Sequence, residues 1–304
     1  MRVVVVGAGV VGLTCAVRLL EEGHDVAVLA RDLPLETTSA VAAALWYPYR
    51  ALPRDRVAGW SATTYEVLAG LAADPGTGVV VRPGTEVFRT PQPDPWWSAG
   101  VPDLRRVTEL PPSYVDGWSF AAPVVEMPVY LAWLAGRVTA LGGSVTRMAL
   151  AALPAGGDVV VNCAGLGSRK LAGDPTVVPV RGQVVVVEQV GLDRWWLDAD
   201  GPTYVVPRAH DIVVGGTDDE GEWDRTPSPA VSEQVLARAT SLVPELANAR
   251  VLRSRVGLRP VRPVVRLERE EHVVHCYGVG GAGVTLSWGV AADVTSLVGR
   301  STPR

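Results

Sequence analysis

Two glycine-rich segments and one arginine are the parts of this 304-residue sequence whose types and spacing could do chemistry. The first segment, Gly-Ala-Gly-Val-Val-Gly at residues 7–12, follows a run of valines and precedes an amphipathic stretch. Glycines at these three positions permit a tight turn, a close approach of backbone to a pyrophosphate, and close packing of a helix on a strand. The segment therefore predicts a dinucleotide site, against the alternative of a tight turn that binds no ligand.

The strand that follows should end in the group that contacts the ribose of such a dinucleotide. Residues 30–32 are Ala-Arg-Asp, so an acid, Asp32, is present but stands one position after Arg31. An acidic side chain binds a ribose 2′-hydroxyl, whereas an arginine suits the 2′-phosphate of NADP. Both interpretations stay open, beside a third in which the pair is merely exposed.

The second glycine segment, Tyr-Gly-Val-Gly-Gly-Ala-Gly-Val-Thr at residues 277–285, also lies between a predicted strand and a predicted helix. Two such loops at the two ends of one chain are typical of a folded-over cofactor, with the pyrophosphate at the first loop and a reactive ring at the last. The positive end of the final helix would suit negative charge on a reduced flavin. The alternative is that these glycines only pack the helix against the sheet.

Arg259 lies in Gly-Leu-Arg-Pro-Val-Arg-Pro, where prolines 260 and 263 stiffen the backbone and remove N–H donors. A rigid guanidinium fork is a natural receptor for a carboxylate. A structural ion pair with one of the 32 acidic residues is the alternative. Tyr204, at the start of a predicted strand, could offer its hydroxyl to the same carboxylate, although by itself it would be expected to be a packed aromatic.

Composition excludes several classes of protein. Of the 28 basic residues only Lys170 is a lysine, and it lies outside any phosphate-binding Gly-Lys motif, so a pyridoxal enzyme, a P-loop NTPase and a kinase are not expected. No Cys-x-x-Cys or His-Glu-x-x-His occurs, and no metal site is predicted. The net charge of −4 indicates neither nucleic acid nor membrane as a partner, and three scattered cysteines favour a reducing cytoplasm.

Periodicity indicates a βαβ unit over residues 2–32 and a mainly antiparallel sheet over residues 46–125, which are rich in Pro, Gly and Trp. Helices are predicted from about 127 to 142, from Ser228 as N-cap to about 243, and from about 284 to 297. Further strands are predicted at 158–162, 183–188 and 272–278.

In seven segments the chain resembles the D-amino-acid oxidases, FAD enzymes of a glutathione-reductase-like superfamily. These segments are residues 3–12, 37–46, 162–165, 179–183, 204–207, 259–268 and 277–289. The resemblance implies an α/β fold, in which a Rossmann-like FAD-binding domain is interleaved with an α+β substrate domain that contains a mainly antiparallel sheet. The FAD-binding domain would comprise residues 1–45, 140–182 and 255–304, and the substrate domain residues 46–139 and 183–254.

The same resemblance implies roles for particular residues. Arg259 would hold the substrate α-carboxylate, Tyr204 would donate a second hydrogen bond, and the Gly281 carbonyl would accept from the substrate amine. No catalytic side chain is expected, because a neutral amine expels the hydride without a protein base. FAD would contact Gly7, Ala8, Gly9, Val10, Val11, Gly12, Arg31, Asp32, Thr37, Thr38, Ser39, Ala43, Ala44, Leu45, Leu150, Cys163, Ala164, Gly165, Gly280, Gly281, Gly283, Val284 and Thr285.

The implied reaction transfers a hydride from Cα of a D-amino acid to flavin N5, and water then releases a 2-oxo acid and ammonia. Molecular oxygen would reoxidise the flavin and give hydrogen peroxide. Three features depart from the family: Arg31 stands where an acid is usual, Ala44 replaces a frequent glycine, and the short stretch 198–201 lacks the extra tyrosine of a mammalian active-site lid. Access to the site is therefore expected to be more open.

Four alternatives to a D-amino-acid oxidase remain. A glycine- or sarcosine-type oxidase would share the fold and the arginine, and a D-aspartate-type oxidase would need a second cation. Tyr47 and Leu197, where that cation would be sought, are uncharged, which favours neutral substrates, although Arg194 is close in sequence. An NADP-dependent dehydrogenase that uses Arg31, or a flavin-binding redox sensor without turnover, belongs to another class. A homodimer is also compatible with the sequence.

Overall fold

The computed structural model describes residues 1–299, which form a mixed α/β structure around one large sheet. The predicted βαβ unit at the N-terminus is confirmed as β1 (Arg2–Val6), α1 (Val10–Glu21) and β2 (Asp25–Ala30). The valines of β1 are buried on both faces of the sheet, as is usual for a parallel strand. Gly23 follows α1 with a φ of 79°, a left-handed conformation that glycine adopts without steric cost.

The middle of the chain differs from the prediction in one respect. Residues 46–125 do form antiparallel strands, but they also contain an 18-residue helix that sequence periodicity missed. Its buried face includes Ser61 and Thr64, which interrupt the apolar pattern by which a helix is recognised. The elements of this part are α2 (Arg54–Leu71), β3 (Val79–Phe88), β4 (Arg105–Arg106), β5 (Asp116–Val125), α3 (Met127–Ala140), β6 (Ser144–Arg147) and β7 (Val159–Asn162).

The C-terminal part contains the remaining strands and three helices. The side chain of Ser228 caps the longer middle helix by accepting a hydrogen bond from the Val231 amide at 3.5 Å, as predicted. The elements are α4 (Ser168–Leu171), β8 (Val178–Glu188), β9 (Trp195–Asp198), β10 (Thr203–Pro207), β11 (Asp211–Gly215), β12 (Asp219–Glu220), α5 (Pro229–Leu242), β13 (Val251–Glu270), β14 (Val273–Val279) and α6 (Gly283–Gly299).

The sheet has a parallel part and a mainly antiparallel part. Strands β6, β2, β1, β7 and β14 lie side by side and run parallel. Strand β13, 20 residues long, pairs antiparallel with β14 and also with β8, so it joins the two parts. From β8 the order continues through β11, β10, β9, β3, β5 and β4, with only β9 and β3 parallel. This arrangement agrees with the predicted fold class.

Three buried hydrophobic clusters support the sheet; the smallest comprises Val4, Val6 and Val160, and the other two include helices. The larger of these two packs α1, α3 and α6 against the parallel strands and extends to α2 and β5, while the other lies between α5 and strands β8, β10 and β11. Within residues 1–299 no helix combines the length and the hydropathy required to cross a bilayer. The predicted division of the chain into five domain segments stays a prediction.

Candidate active site

A cavity of about 1210 Å³ opens where the carboxyl ends of β1, β2, β7 and β14 meet, the edge at which α/β sheets bind ligands. It is larger than the usual pocket for a drug-sized ligand, which suits a dinucleotide. Most of the predicted cofactor and substrate residues line it. These are Gly7, Ala8, Gly9, Val10, Val11, Gly12, Arg31, Asp32, Thr37, Thr38, Ser39, Leu150, Cys163, Ala164, Gly165, Tyr204, Arg259, Gly280, Gly281, Gly283 and Val284.

The first glycine segment brings bare backbone to the cavity. A Cβ at Gly12 would overlap the carbonyl oxygen of Gly7, and one at Gly7 would overlap that of Cys163, so neither position tolerates a side chain. Helix α1 begins directly after this turn, and the side chain of Ser39 accepts from the Val10 amide at 3.0 Å. The positive end of α1 therefore faces the cavity, where a pyrophosphate would be stabilised.

The structure shows how the side chains of Arg31 and Asp32 lie relative to each other, which the sequence left open. The Arg31 guanidinium donates to both carboxylate oxygens of Asp32, with Nη2 2.6 Å from Oδ2. The hydrogen bond and charge of Arg31 lower the pKa of Asp32, which keeps it ionised. Asp32 thus neutralises Arg31 at the cavity wall, and their predicted contact with the ribose stays a prediction.

Four of the predicted FAD contacts do not line this cavity and stay predictions. Of Ala43, Ala44, Leu45 and Thr285, Leu45 bridges to Val124 of β5, and Thr285 is buried with its hydroxyl hydrogen-bonded to the backbone of Tyr47. The chain changes direction at Ala44, whose φ is 60°, and next pairs with the antiparallel strand β5 through Leu45. A left-handed residue there explains why glycine is frequent at this position in the family.

The cysteines form a cluster that the sequence did not reveal. Cys15 of α1, Cys163 after β7 and Cys276 of β14 are all buried, and their sulfur atoms lie within 4.8 Å of one another. The thiols are not joined, with 4.0 Å between the sulfurs of Cys15 and Cys163. Since each of these positions is more than a hundred residues from the other two, only the packing of α1 on the parallel sheet brings them together.

Arg259 extends from β13 across the face of the neighbouring strand. Its guanidinium lies against the backbone of Gly182 in β8, where a Cβ would stand 2.5 Å from both terminal nitrogens. One of those nitrogens, Nη1, donates to the Thr217 carbonyl at 2.9 Å. The side chain is 18% exposed, so the charge is partly shielded from water and available to a ligand in the cavity.

Tyr204 and Gly281 meet this arginine, as the resemblance implied. The Tyr204 ring lies flat on Gly215 and Gly216, where any Cβ would clash with it. Burial raises the pKa of the Tyr204 hydroxyl, and the charge and hydrogen bond of Arg259 act in the opposite direction. A Cβ at Gly281 would stand 3.4 Å from Arg259 Cδ, so the second glycine loop borders the same place. Arg259 and Tyr204, which are predicted to donate to a substrate carboxylate, therefore lie next to the backbone of Gly281.

Three further residues surround the arginine that sequence reasoning did not single out. The Tyr49 ring packs on Gly281, and Arg50 Nη2 lies 2.6 Å from Oδ2 of Asp218. Asp218 in turn lies 3.7 Å from Arg259. The sequence offered a clue to Tyr49 and Arg50, because both lie shortly after segment 37–46, which resembles the family. Asp218 had no signal, since its loop reaches the site only through the pairing of β12 with β8.

The positions proposed for a second cation lie elsewhere. Tyr47 donates its hydroxyl to the buried carboxylate of Glu86 at 2.5 Å, and its backbone exchanges hydrogen bonds of 3.0 Å with Thr285. Arg194 is exposed and contacts Thr85 at 3.4 Å. Leu197 is the strand partner of Tyr204. Arg50 is a cation linked to Arg259 through Asp218, which pairs with both.

Comparison with known proteins identifies the family to which the chain belongs. The family model for FAD-dependent oxidoreductases (DAO) matches residues 2–297. The chain is 51% identical to a D-amino-acid oxidase of Rubrobacter xylanophilus, over 98% of this chain and 96% of that protein, and 42% identical to one of Streptomyces coelicolor, over 97% and 96%. The structure of glycine oxidase from Geobacillus kaustophilus superimposes with a TM-score of 0.83 at 22% identity, covering 99% of this chain and 96% of that one. The chain belongs to the family of FAD-dependent oxidoreductases that includes the D-amino-acid oxidases.

Proposed function

We propose that the protein oxidises D-amino acids to 2-oxo acids and ammonia, and that molecular oxygen is the electron acceptor, giving hydrogen peroxide. The observation that carries the proposal is the position of the Arg259 guanidinium, which lies at the cavity wall beside the Tyr204 hydroxyl and the Gly281 backbone. Arginine binds a carboxylate through two parallel hydrogen bonds, and this fixes direction as well as distance.

FAD supplies the two-electron acceptor of the reaction when it is bound. The residues of the chain bind and orient the amino acid: Arg259 and Tyr204 hold its carboxylate, and the Gly281 carbonyl accepts a hydrogen bond from its amine. These contacts hold the substrate Cα at a fixed position, so that substrate and acceptor react from a near-attack geometry and not from a random collision. The amine must be neutral to release its electron pair, and a carbonyl acceptor stabilises an N–H without removing the lone pair.

A nicotinamide dehydrogenase is less well supported by the contacts. Use of NADP would call for a cation free to bind the 2′-phosphate, whereas Arg31 is held by both oxygens of Asp32. A glycine-type oxidase remains the second candidate, because the glycine oxidase fold superimposes along nearly the whole chain. The substrate range separates the two.

The test uses the purified full chain. We expect flavin absorbance in the visible range and peroxide release with D-alanine or D-valine but not with their L-enantiomers. A colourless protein that binds no added FAD would contradict the cofactor. A coloured protein that oxidises glycine or sarcosine but no larger D-amino acid would favour the second candidate, and a coloured protein without turnover would indicate a sensor.

We also propose a cytoplasmic location and a role in D-amino-acid catabolism. The location is supported by the three free thiols, since two of their sulfurs, 4.0 Å apart, remain unbonded. We also propose that the protein is a homodimer, which light scattering on the flavin-bound protein would test. A monomer at micromolar concentration would contradict it.

A further inference from the structure

A loop from the antiparallel part of the sheet reaches the cavity and brings two side chains to it that no sequence motif singled out. Residues 221–227 lie between β12 and α5, and Trp223 and Arg225 of this loop line the same cavity as the two glycine segments. All ten tryptophans lie within the described residues, and only Trp223, at 53%, is exposed. An exposed indole at a cavity wall is a large apolar surface that a ligand could cover.

Loop 221–227 is fixed by two buried side chains of β8. Arg181 donates through Nε to the Asp224 carbonyl and through Nη2 to the Thr226 carbonyl, each at 2.9 Å. Gln183, which has no exposed surface, accepts from the Ser228 amide at 2.9 Å directly after the loop. The loop backbone is therefore held in place without a ligand, so a ligand that contacts it does not have to order it.

The charge of Arg225 acts on the side of the cavity where α1 begins. The pKa of Asp32, lowered first by its hydrogen bond with the preceding arginine, is also lowered by the charge of Arg225. The pKa of Arg255 is lowered by burial and also by nearby cations that include Arg225. Arg255 donates to the Ala40 carbonyl at 2.8 Å, and the adjacent Ser39 side chain accepts from the first amide of α1 at 3.0 Å.

Arg225 is a cation without a partner of its own. Within residues 1–299 its exposed guanidinium forms no salt bridge and donates no hydrogen bond. Arg31, which also lines the cavity, is instead held by both oxygens of Asp32. A free guanidinium and the positive end of α1 together favour an anion in this part of the cavity. The pyrophosphate is the anionic group of FAD that α1 is predicted to face.

We propose that loop 221–227 is part of the FAD site, where Arg225 pairs with the pyrophosphate and Trp223 packs its indole over this part of the cofactor. The proposal takes the cavity as the FAD site, so it rests on the cofactor of the proposed function but not on its substrate. The indole excludes water from the ion pair beside it. Charge attraction is stronger and less screened by salt where water is excluded, so the two side chains reinforce each other.

The first experiment measures FAD binding to the full chain after its flavin has been removed. We expect the dissociation constant, followed by quenching of flavin fluorescence, to rise at least tenfold in Arg225→Ala and in Trp223→Ala. The effect of Arg225→Ala should shrink as the ionic strength is raised, and Trp223→Phe should retain most of the affinity because it keeps an aromatic ring.

Two controls separate a contact with FAD from damage to the fold. Arg105→Ala removes an exposed arginine that pairs with Asp103 at 3.8 Å outside the cavity, and it should bind FAD as wild type does. Because Trp223 and Arg225 are exposed, their variants should unfold in urea at the same midpoint as flavin-free wild type.

ADP identifies the part of the cofactor that the loop contacts, because it carries the adenosine and the two phosphates without the flavin ring. We expect ADP to compete with FAD and to lose affinity in Arg225→Ala by a factor similar to that for FAD. Saturating ADP should reduce acrylamide quenching of the tryptophan fluorescence of flavin-free wild type, and this protection should be absent in Trp223→Phe.

Several outcomes would overturn the proposal. Unchanged FAD affinity in Arg225→Ala, or a loss for FAD without a loss for ADP, would exclude the contact with the pyrophosphate. Unchanged acrylamide quenching in the presence of ADP would exclude the covering role of Trp223. A wild type that binds no FAD would overturn this proposal together with the cofactor. Failure to oxidise D-amino acids by a protein that passes these binding tests would instead overturn the proposed reaction alone.

Discussion

The guanidinium of Arg259 rests on Gly182, a residue of the neighbouring strand that has no side chain to obstruct it. A Cβ at Gly182 would stand 2.5 Å from both terminal nitrogens and 2.6 Å from the carbon between them. The position of the proposed carboxylate-binding group is therefore set by β8 as much as by β13. This contact makes Gly182 as necessary to the site as the arginine itself, although it has no chemistry of its own.

Replacing Gly182 by alanine should displace the arginine fork and weaken substrate binding while leaving the cofactor in place. We expect kcat/KM for D-alanine to fall at least tenfold, about 1.4 kcal/mol, since a misplaced guanidinium loses one of two charge-assisted hydrogen bonds. Steady-state kinetics and the ratio of flavin to protein absorbance would measure this. Gly59→Ala is the control, because a Cβ there has nothing within 4 Å. Unchanged kinetics in Gly182→Ala would show that the arginine has another place to lie.

Replacing Arg259 by lysine should keep the charge and lose the fork. The expected loss is that of at least one charge-assisted hydrogen bond, about 1.5–3 kcal/mol in kcat/KM, or roughly ten- to more than a hundredfold. Exposed Arg194 offers a matched control, since Arg194→Lys changes the same atoms outside the cavity. Wild-type kcat/KM in Arg259→Lys would disprove the bidentate role.

A methyl group at Gly12 should prevent cofactor binding. A Cβ there overlaps the Gly7 carbonyl, so the turn must open and the α1 N-terminus must move away from the pyrophosphate position. We expect Gly12→Ala to be purified with little flavin and to regain little when FAD is added, as measured by visible absorbance. Gly136→Ala, at an open position within α3, should stay fully loaded. Full flavin content in Gly12→Ala would contradict the predicted site.

The buried pair of Glu86 and Tyr47 predicts a pH dependence of stability. Burial raises the pKa of Glu86 from 4.5 to about 7, against the opposing hydrogen bond from Tyr47. The folded state therefore binds a proton that the unfolded state releases, and the free energy of unfolding should fall as the pH rises from about 4.5 to 7. The decrease is on the order of 3 kcal/mol for a shift of this size.

Urea denaturation of wild type and Glu86→Gln at pH 5, 6 and 7.5 would measure this dependence. The difference between the two proteins should change steadily over that range, because glutamine does not titrate. Glu66→Gln, at an exposed position on α2, should parallel wild type. Parallel curves for wild type and Glu86→Gln would mean that Glu86 does not bind a proton on folding.

Local patterns determined the elements that hold the cofactor. The valines of β1, the glycines at 7, 9 and 12 and the periodicity of α1 act within one βαβ unit, so their physics is contained in consecutive residues. The same holds for Ser228, whose cap depends on an amide three residues away. Helix α2 escaped detection because two polar residues interrupt its buried face: Ser61 donates to the Ala58 carbonyl within the helix, and Thr64 accepts from the amide of Gly289 elsewhere in the fold.

The sequence by itself determined the fold class and the cofactor and predicted the role of Arg259, because each depends on motifs whose residues are neighbours in the chain. Tertiary structure alone decided what surrounds that arginine. Gly182 under the guanidinium, Asp218 beside it and Arg50 beyond it come from three separate segments that meet through pairing with β8 and the second glycine loop. The surroundings of Arg259 are a property of distances between such segments, and those distances are fixed only when the strands of the sheet pair.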